Sequence, residues 1–191
     1  IYGTIEFYSE AFLKKYLEML NLHINEYDWL KYLIKTKNLN NSISLIQKII
    51  EGKHSKYNHI DKIKIIENLY NSINNKKFYE INKDSFTLLS GNLKHKKICD
   101  LFNQIGINLE KEFTKFSEFS NTTSEVKYQK IDEIVERRNE IAHGAFVELL
   151  DTSEIKQYID FVYLYFSKLF IIIFSDLKQQ ILSYQAQTGI K

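Results

Sequence analysis

The sequence predicts an all-α fold. Apolar residues recur at helical spacing in segment after segment, no stretch of any length alternates with period two, and 6 Gly with no Pro leave few helix breakers. At 191 residues and 22.8 kDa the chain suits one domain with a substantial core. A hydrophobic share of 44% and a charged share of 26% are those of an ordinary soluble protein. The 26 Lys+Arg nearly balance 24 Asp+Glu, so the whole-chain charge does not demand a polyanionic partner, while a local basic patch stays open. The single cysteine, Cys99, has no internal disulfide partner and fits a reducing cytosol. Its apolar surroundings, Ile98, Leu101 and Phe102, read as those of a buried structural thiol, with no base evident nearby in sequence. No charged-then-apolar leader opens the chain, and the most apolar run, Phe161 to Phe174, is broken by Ser167-Lys168 and reads as too short to span a bilayer. The expectation is a soluble, cytoplasmic protein with no membrane partner.

The elements follow in order. Ile1 to Leu22 reads as an uncapped amphipathic helix on Ile5, Phe12, Tyr16, Met19 and Leu20. Asn25 to Lys37 reads as a second, partly buried helix, Asn38-Leu39-Asn40-Asn41-Ser42 as a turn, and Ile43 to Ile50 as a short helix ended by Gly52. His54 and His59 fall in the polar connection, where two solvated histidines are a better reading than a metal site. Asp61 to Ile73 is a helix capped by Asp61 and ended by Asn74-Asn75-Lys76-Lys77. Phe78 to Ser90 has only a weak period, and Ser90-Gly91-Asn92 is a turn. Leu93 to Ile105 forms a helix stopped at Gly106, with the basic cluster Lys94-His95-Lys96-Lys97 on its first turns. Such a cluster can touch phosphates, though short lysine runs usually form a solvated face. Asn108 caps Leu109 to Phe116, and Phe116 to Thr122 leads into a helix from Thr123 to His143. A cap at Asp151 or Thr152 starts the last helix, Ser153 to about Ser183. That helix is apolar nearly all round between Phe161 and Phe174, which argues for a central buried helix or one shared with a second subunit.

The candidate chemistry lies in Arg137-Arg138-Asn139-Glu140-Ile141-Ala142-His143-Gly144. At about 100° per residue, Ile131, Ile134, Val135, Ile141 and Ala142 share one helix face about 120° wide. Arg138 falls near the middle of that face, where a guanidinium is costly unless something anionic or polar meets it. Asn139 and His143, four residues apart, flank it one turn from each other. Taken singly, a histidine at a helix C-terminus and a glycine just beyond it have ordinary structural explanations. The position of Arg138 and the string as a whole favour a site. Gly-rich phosphate loops, Cys/His metal sets and a Ser/His/Asp arrangement are not visible, so neither metal nor cofactor is expected.

The string Ile131-x-x-Ile134-Val135-x-x-Arg138-Asn139-x-Ile141-Ala142-His143-Gly144 resembles the signature of the HEPN superfamily, an Arg, a polar residue and a His four to six residues beyond the Arg. Asn92-Leu93…Ile98…Leu101-Phe102…Ile105-Gly106-Ile107 and Tyr8-Ser9-Glu10-Ala11-Phe12-Leu13-Lys14 resemble segments of its RiboL-PSP-HEPN-like subgroup. The resemblance covers 1–22 and 92–180; residues 25–90 do not align and are read as an insertion within a single domain, 1–191. It implies an antiparallel helical bundle with extra helices inserted. It also implies a metal-independent endoribonuclease, working as a homodimer whose facing signature helices form the cleft. There the ribose 2′-OH attacks the adjacent phosphate and leaves a 2′,3′-cyclic phosphate and a 5′-OH. In that scheme His143 moves a proton, Arg138 holds the phosphate and the charge growing on it, and Asn139 orients either group. Arg137, Lys94, Lys96 and Lys97 are the candidate RNA-backbone contacts, whose contribution weakens with salt. Four residues separate Arg138 from His143, the short end of the family range. The setting implied is a toxin or phage-defence nuclease restrained by an antitoxin or sensor protein. Two other readings stand beside it: a non-catalytic HEPN module binding RNA or protein, and a plain helical interaction domain in which Arg138 and His143 pair with an acidic residue such as Glu10.

Overall fold

The computed structural model describes residues 1–52, 57, 59–74, 77–88, 92–120, 124–144 and 150–189. The described residues form eight α-helices and no strand: α1 Tyr2–His23, α2 Tyr32–Glu51, α3 Lys62–Asn74, α4 His95–Asn103, α5 Leu109–Phe113, α6 Ser117–Ser120, α7 Ser124–Ala142 and α8 Thr152–Thr188. Two 3-10 turns, Tyr27–Trp29 and Lys83–Thr87, join them.

The core is built on α1 and α8. Ile5, Leu13, Leu17 and Leu20 of α1 bury with Val162, Phe166, Leu169 and Ile173 of α8 in one cluster. Tyr8 meets Phe166 at 5.7 Å, Phe12 meets Phe170 at 5.9 Å, and the Tyr16 hydroxyl donates to Asp176 at 2.6 Å, so the two helices run parallel. By contrast α7 is antiparallel to α8: Tyr128 lies beside Tyr165, Lys130 over Phe161, and Glu133 accepts from the Tyr158 hydroxyl. Removing these side chains from water, at roughly 25 cal/mol per Å² of apolar surface, supplies most of the stability of these helices. α8 begins with a capping box in which Asp151 accepts from the Glu154 N–H and Glu154 from the Asp151 N–H.

Several expectations need correction. Asn38 to Ser42 is not a turn; α2 runs through it unbroken. Asn38 and Ser42 are buried because they serve a polar network, not a chain reversal. Asn38 Oδ1 accepts from the Asn82 N–H at 3.0 Å, and Asn82 Nδ2 donates to Ser42 Oγ at 2.9 Å. The weakly periodic segment after Phe78 is ordered by the same means. Ile81 exchanges hydrogen bonds with the Asn21 amide, and Phe86 is buried between α1 and α2. The expected helix from Asn25 begins as a 3-10 turn, and the one capped by Asn108 stops at Phe113.

The last helix is not buried all round. Tyr163 is 77% exposed and Phe170 and Phe174 each 53%, while Tyr165 and Leu169 are fully enclosed. Nor does Ser167-Lys168 break it. Ser167 Oγ turns back to the Tyr163 carbonyl at 2.7 Å and Lys168 pairs with Glu118, so the apolar run joins a helix of 37 residues. By length and composition α8 is long enough to cross a membrane, and a third of its most apolar stretch (33%) is buried in the protein. Gly52 and Gly144 stand at helix ends with φ of 65° and 74°, the left-handed conformation a C′ glycine supplies at least cost. The expectations for His54, Thr123 and Leu149 lie outside the described residues.

Candidate functional site

The C-terminal half of α7 carries the candidate site. Tyr128, Ile131, Ile134 and Val135 are buried, and the core ends there. Arg138, Ile141 and Ala142 continue the same stripe into solvent, with exposed His143 at its flank, and Ile141 is 65% exposed. Arg138 is therefore not a cation inside the core, as its wheel position had placed it: α7 outruns the helices that cover its apolar face. What meets the guanidinium is aromatic and polar. It lies over the Tyr2 ring at 5.0 Å, and Nη1 donates to Asn139 Oδ1 at 3.1 Å. Tyr2 in turn donates its hydroxyl to Glu6 at 2.8 Å, which fixes the ring from α1. His143 closes the helix, its N–H donating to the Asn139 carbonyl at 2.9 Å, with an exposed side chain one turn beyond Asn139.

The structure brings Arg138, Asn139 and His143 onto one exposed end of α7. The proposed phosphate contacts are placed less uniformly. Lys94 pairs with Glu136 at 2.5 Å, which holds its ammonium charged and ties α4 to α7. Lys96 is exposed, Lys97 is half-buried, and Arg137 is half-buried beside Tyr158, to which it donates. His95 does not belong to a basic patch at all. It is buried, burial pulls its imidazole down to about 4, and it is therefore neutral at physiological pH. Its ring stacks on Tyr128 at 3.6 Å, and its N–H backbone donates to Asp132 of α7 at 2.7 Å. Cys99, read from sequence as lacking a neighbouring base, has His95 Nε2 3.3 Å from its sulfur, and burial pushes the thiol up to about 12. Tyr2 was missed entirely. Nothing in the sequence links position 2 to position 138, whereas the four-residue spacing of His95 and Cys99 was open to view.

An apolar groove of about 800 Å³ runs between α1 and α8, lined by Tyr8, Phe12, Ile159, Tyr163, Phe166 and Phe170 among others. Arg138 touches α1 through Tyr2, whose sequence neighbours Ile1 and Thr4 line this groove. A family model for RiboL-PSP-HEPN matches residues 1–176. The chain belongs to the RiboL-PSP-HEPN family. The match runs through residues 25–90 and ends within α8, and the all-α architecture is that of HEPN families. HEPN domains often bind RNA, and membership points to an RNase or RNA-binding role. Neither the curated proteins nor the solved structures yield a match to this chain. In a HEPN domain the paired Arg138 and Asn139 can grip a phosphate, and His143 can exchange a proton with a group held there.

Proposed function

We propose that this RiboL-PSP-HEPN protein is a metal-independent endoribonuclease, cytoplasmic, acting as a homodimer in a toxin–antitoxin or phage-defence setting. The observation that carries the reading is the grouping of exposed Arg138 and His143 with half-buried Asn139 at the end of α7, in a chain of this family. The nucleophile is the substrate's own 2′-OH. It attacks the adjacent phosphorus, the O5′ bond breaks, and the products end in a 2′,3′-cyclic phosphate and a 5′-OH. His143 transfers the proton, Arg138 binds the non-bridging oxygens, and Asn139 keeps the guanidinium in place. The uncovered groove between α1 and α8 supports pairing of two copies, and in the proposed dimer two clusters share one cleft. Arg137 and Lys96 extend the basic surface along the RNA backbone, with Lys94 shared between phosphate and Glu136.

The test is cleavage of total RNA and tRNA in EDTA, wild type beside His143→Ala, with end-group analysis. The expected result is cyclic phosphate ends from the wild type and intact RNA from the variant. RNA binding without cleavage by an intact dimer would favour the non-catalytic module. Cleavage persisting in His143→Ala would remove His143 from the reaction.

A further inference from the structure

His95 and Cys99 lie one helical turn apart in sequence, and the fold brings Glu110 of the next helix to them. His95 opens α4, Cys99 follows one turn later, and Glu110 sits in the first turn of α5. Their ligand atoms all lie within 4.8 Å of one another. The imidazole is fixed in a way that a packing role alone does not require. Nδ1 is 3.1 Å from the Tyr165 hydroxyl, Tyr128 stacks on the ring, and Nε2 is left facing Cys99 Sγ at 3.3 Å. An imidazole held through one nitrogen with the other turned to a thiol is the arrangement that outer partners impose on metal-binding histidines. Around a tetrahedral zinc, with Zn–S of about 2.3 Å and Zn–N of about 2.0 Å, the nitrogen and sulfur lie roughly 3.5 Å apart. The observed separation is already close to that. Glu110 is exposed, so its side chain can turn inward over the remaining distance at little cost.

We propose that His95 Nε2, Cys99 Sγ and a Glu110 oxygen form a binding site for a thiophilic divalent cation of the zinc class, with water completing the coordination. Nitrogen, sulfur and one carboxylate oxygen select zinc or cobalt over magnesium and calcium, which need an all-oxygen shell. On binding, the thiol releases its proton to solvent and the thiolate takes the metal. The cation would pin the start of α4 to α5. Because His95 and Lys94 also hold Asp132 and Glu136, it would stiffen the seat of α7. The inference is independent of the nuclease reading, whose chemistry uses none of these three groups.

Titration of the whole, EDTA-stripped chain with Co²⁺ tests it. The expected result is one equivalent bound, with tetrahedral visible bands and a near-ultraviolet thiolate-to-cobalt band, all displaced by Zn²⁺. Cys99→Ser abolishes the thiolate band. Glu110→Gln, at an exposed position that the core does not need, lowers affinity about tenfold or more. At equal concentration Zn²⁺ raises the melting temperature of the wild type more than that of Glu110→Gln. Absence of the thiolate band in the wild type, or equal affinity in Glu110→Gln, overturns the proposal, and both outcomes are readable even if Cys99→Ser fails to fold.

Discussion

Arg138 shares its helix phase with Ile131, Ile134 and Val135, and it stands in water all the same. Phase tells which side of a helix a residue occupies; it does not tell how far along that side the neighbouring helices reach. Here they reach Val135 and no further. The energetic consequence is specific. Among the described residues Arg138 makes a cation–π contact and one exposed hydrogen bond, so Arg138→Ala should cost about 1 kcal/mol or less. His143→Ala, fully at the surface, should stay within about 0.5 kcal/mol. Urea unfolding of both variants checks this beside their loss of cleavage. A cost above about 3 kcal/mol would instead reveal a stranded buried charge and favour the interaction-domain reading. The Arg138–Asn139–His143 grouping was legible because all three lie within two turns of one helix. Tyr2, which meets Arg138 across 136 positions of sequence, was not.

The helices whose signals are local were read correctly. α1 follows its apolar period, α3 takes its cap from Asp61 Oδ1 on the Ile63 N–H at 2.8 Å, and α8 starts on the Asp151–Glu154 box. α2 shows where local chemistry misleads. A run of Asn and Ser favours a turn when nothing else claims those side chains. In this chain Asn82, forty residues downstream of Ser42, claims them. Asn82 also accepts from Asn68 Nδ2 at 2.8 Å and donates to the Ile65 carbonyl at 3.3 Å, so one buried amide joins α2, α3 and the 3-10 segment. Asn82→Ala leaves Asn68 and Ser42 buried without these partners, and each deserted group costs about 1–3 kcal/mol. We expect a loss of about 3 kcal/mol or more in chemical denaturation. Asn40→Ala, exposed on the same stretch of α2, should be within about 0.5 kcal/mol of wild type. Equal effects of the two would mean that α2 owes its continuity to something other than the Asn82 network.

For the whole molecule, the apolar face that α8 turns outward sets the strongest constraint. Composition left two explanations for that helix, burial within one chain or sharing between two, and the outward position of Tyr163, Phe170 and Phe174 disfavours the first. Tyr163 and Phe170 line, with Ile159, a groove of about 800 Å³, and exposed apolar side chains gathered on one face mark a surface for a partner. A second copy covering it would bury these rings and, in the scheme proposed above, bring its own Arg138 and His143 into a shared cleft. A stable association needs about 800 Å² from each partner, so the groove would be the centre of a wider seam. The double variant Tyr163→Glu, Phe170→Glu places two carboxylates on that face while leaving the buried side of α8 untouched. Light scattering coupled to size exclusion should show wild-type dimer and variant monomer, with the same helical circular dichroism, and RNA cleavage should vanish with the dimer. A variant that stays dimeric places the seam elsewhere. A monomeric variant that still cleaves would mean that one copy of the cluster is enough, and the shared cleft would have to be abandoned.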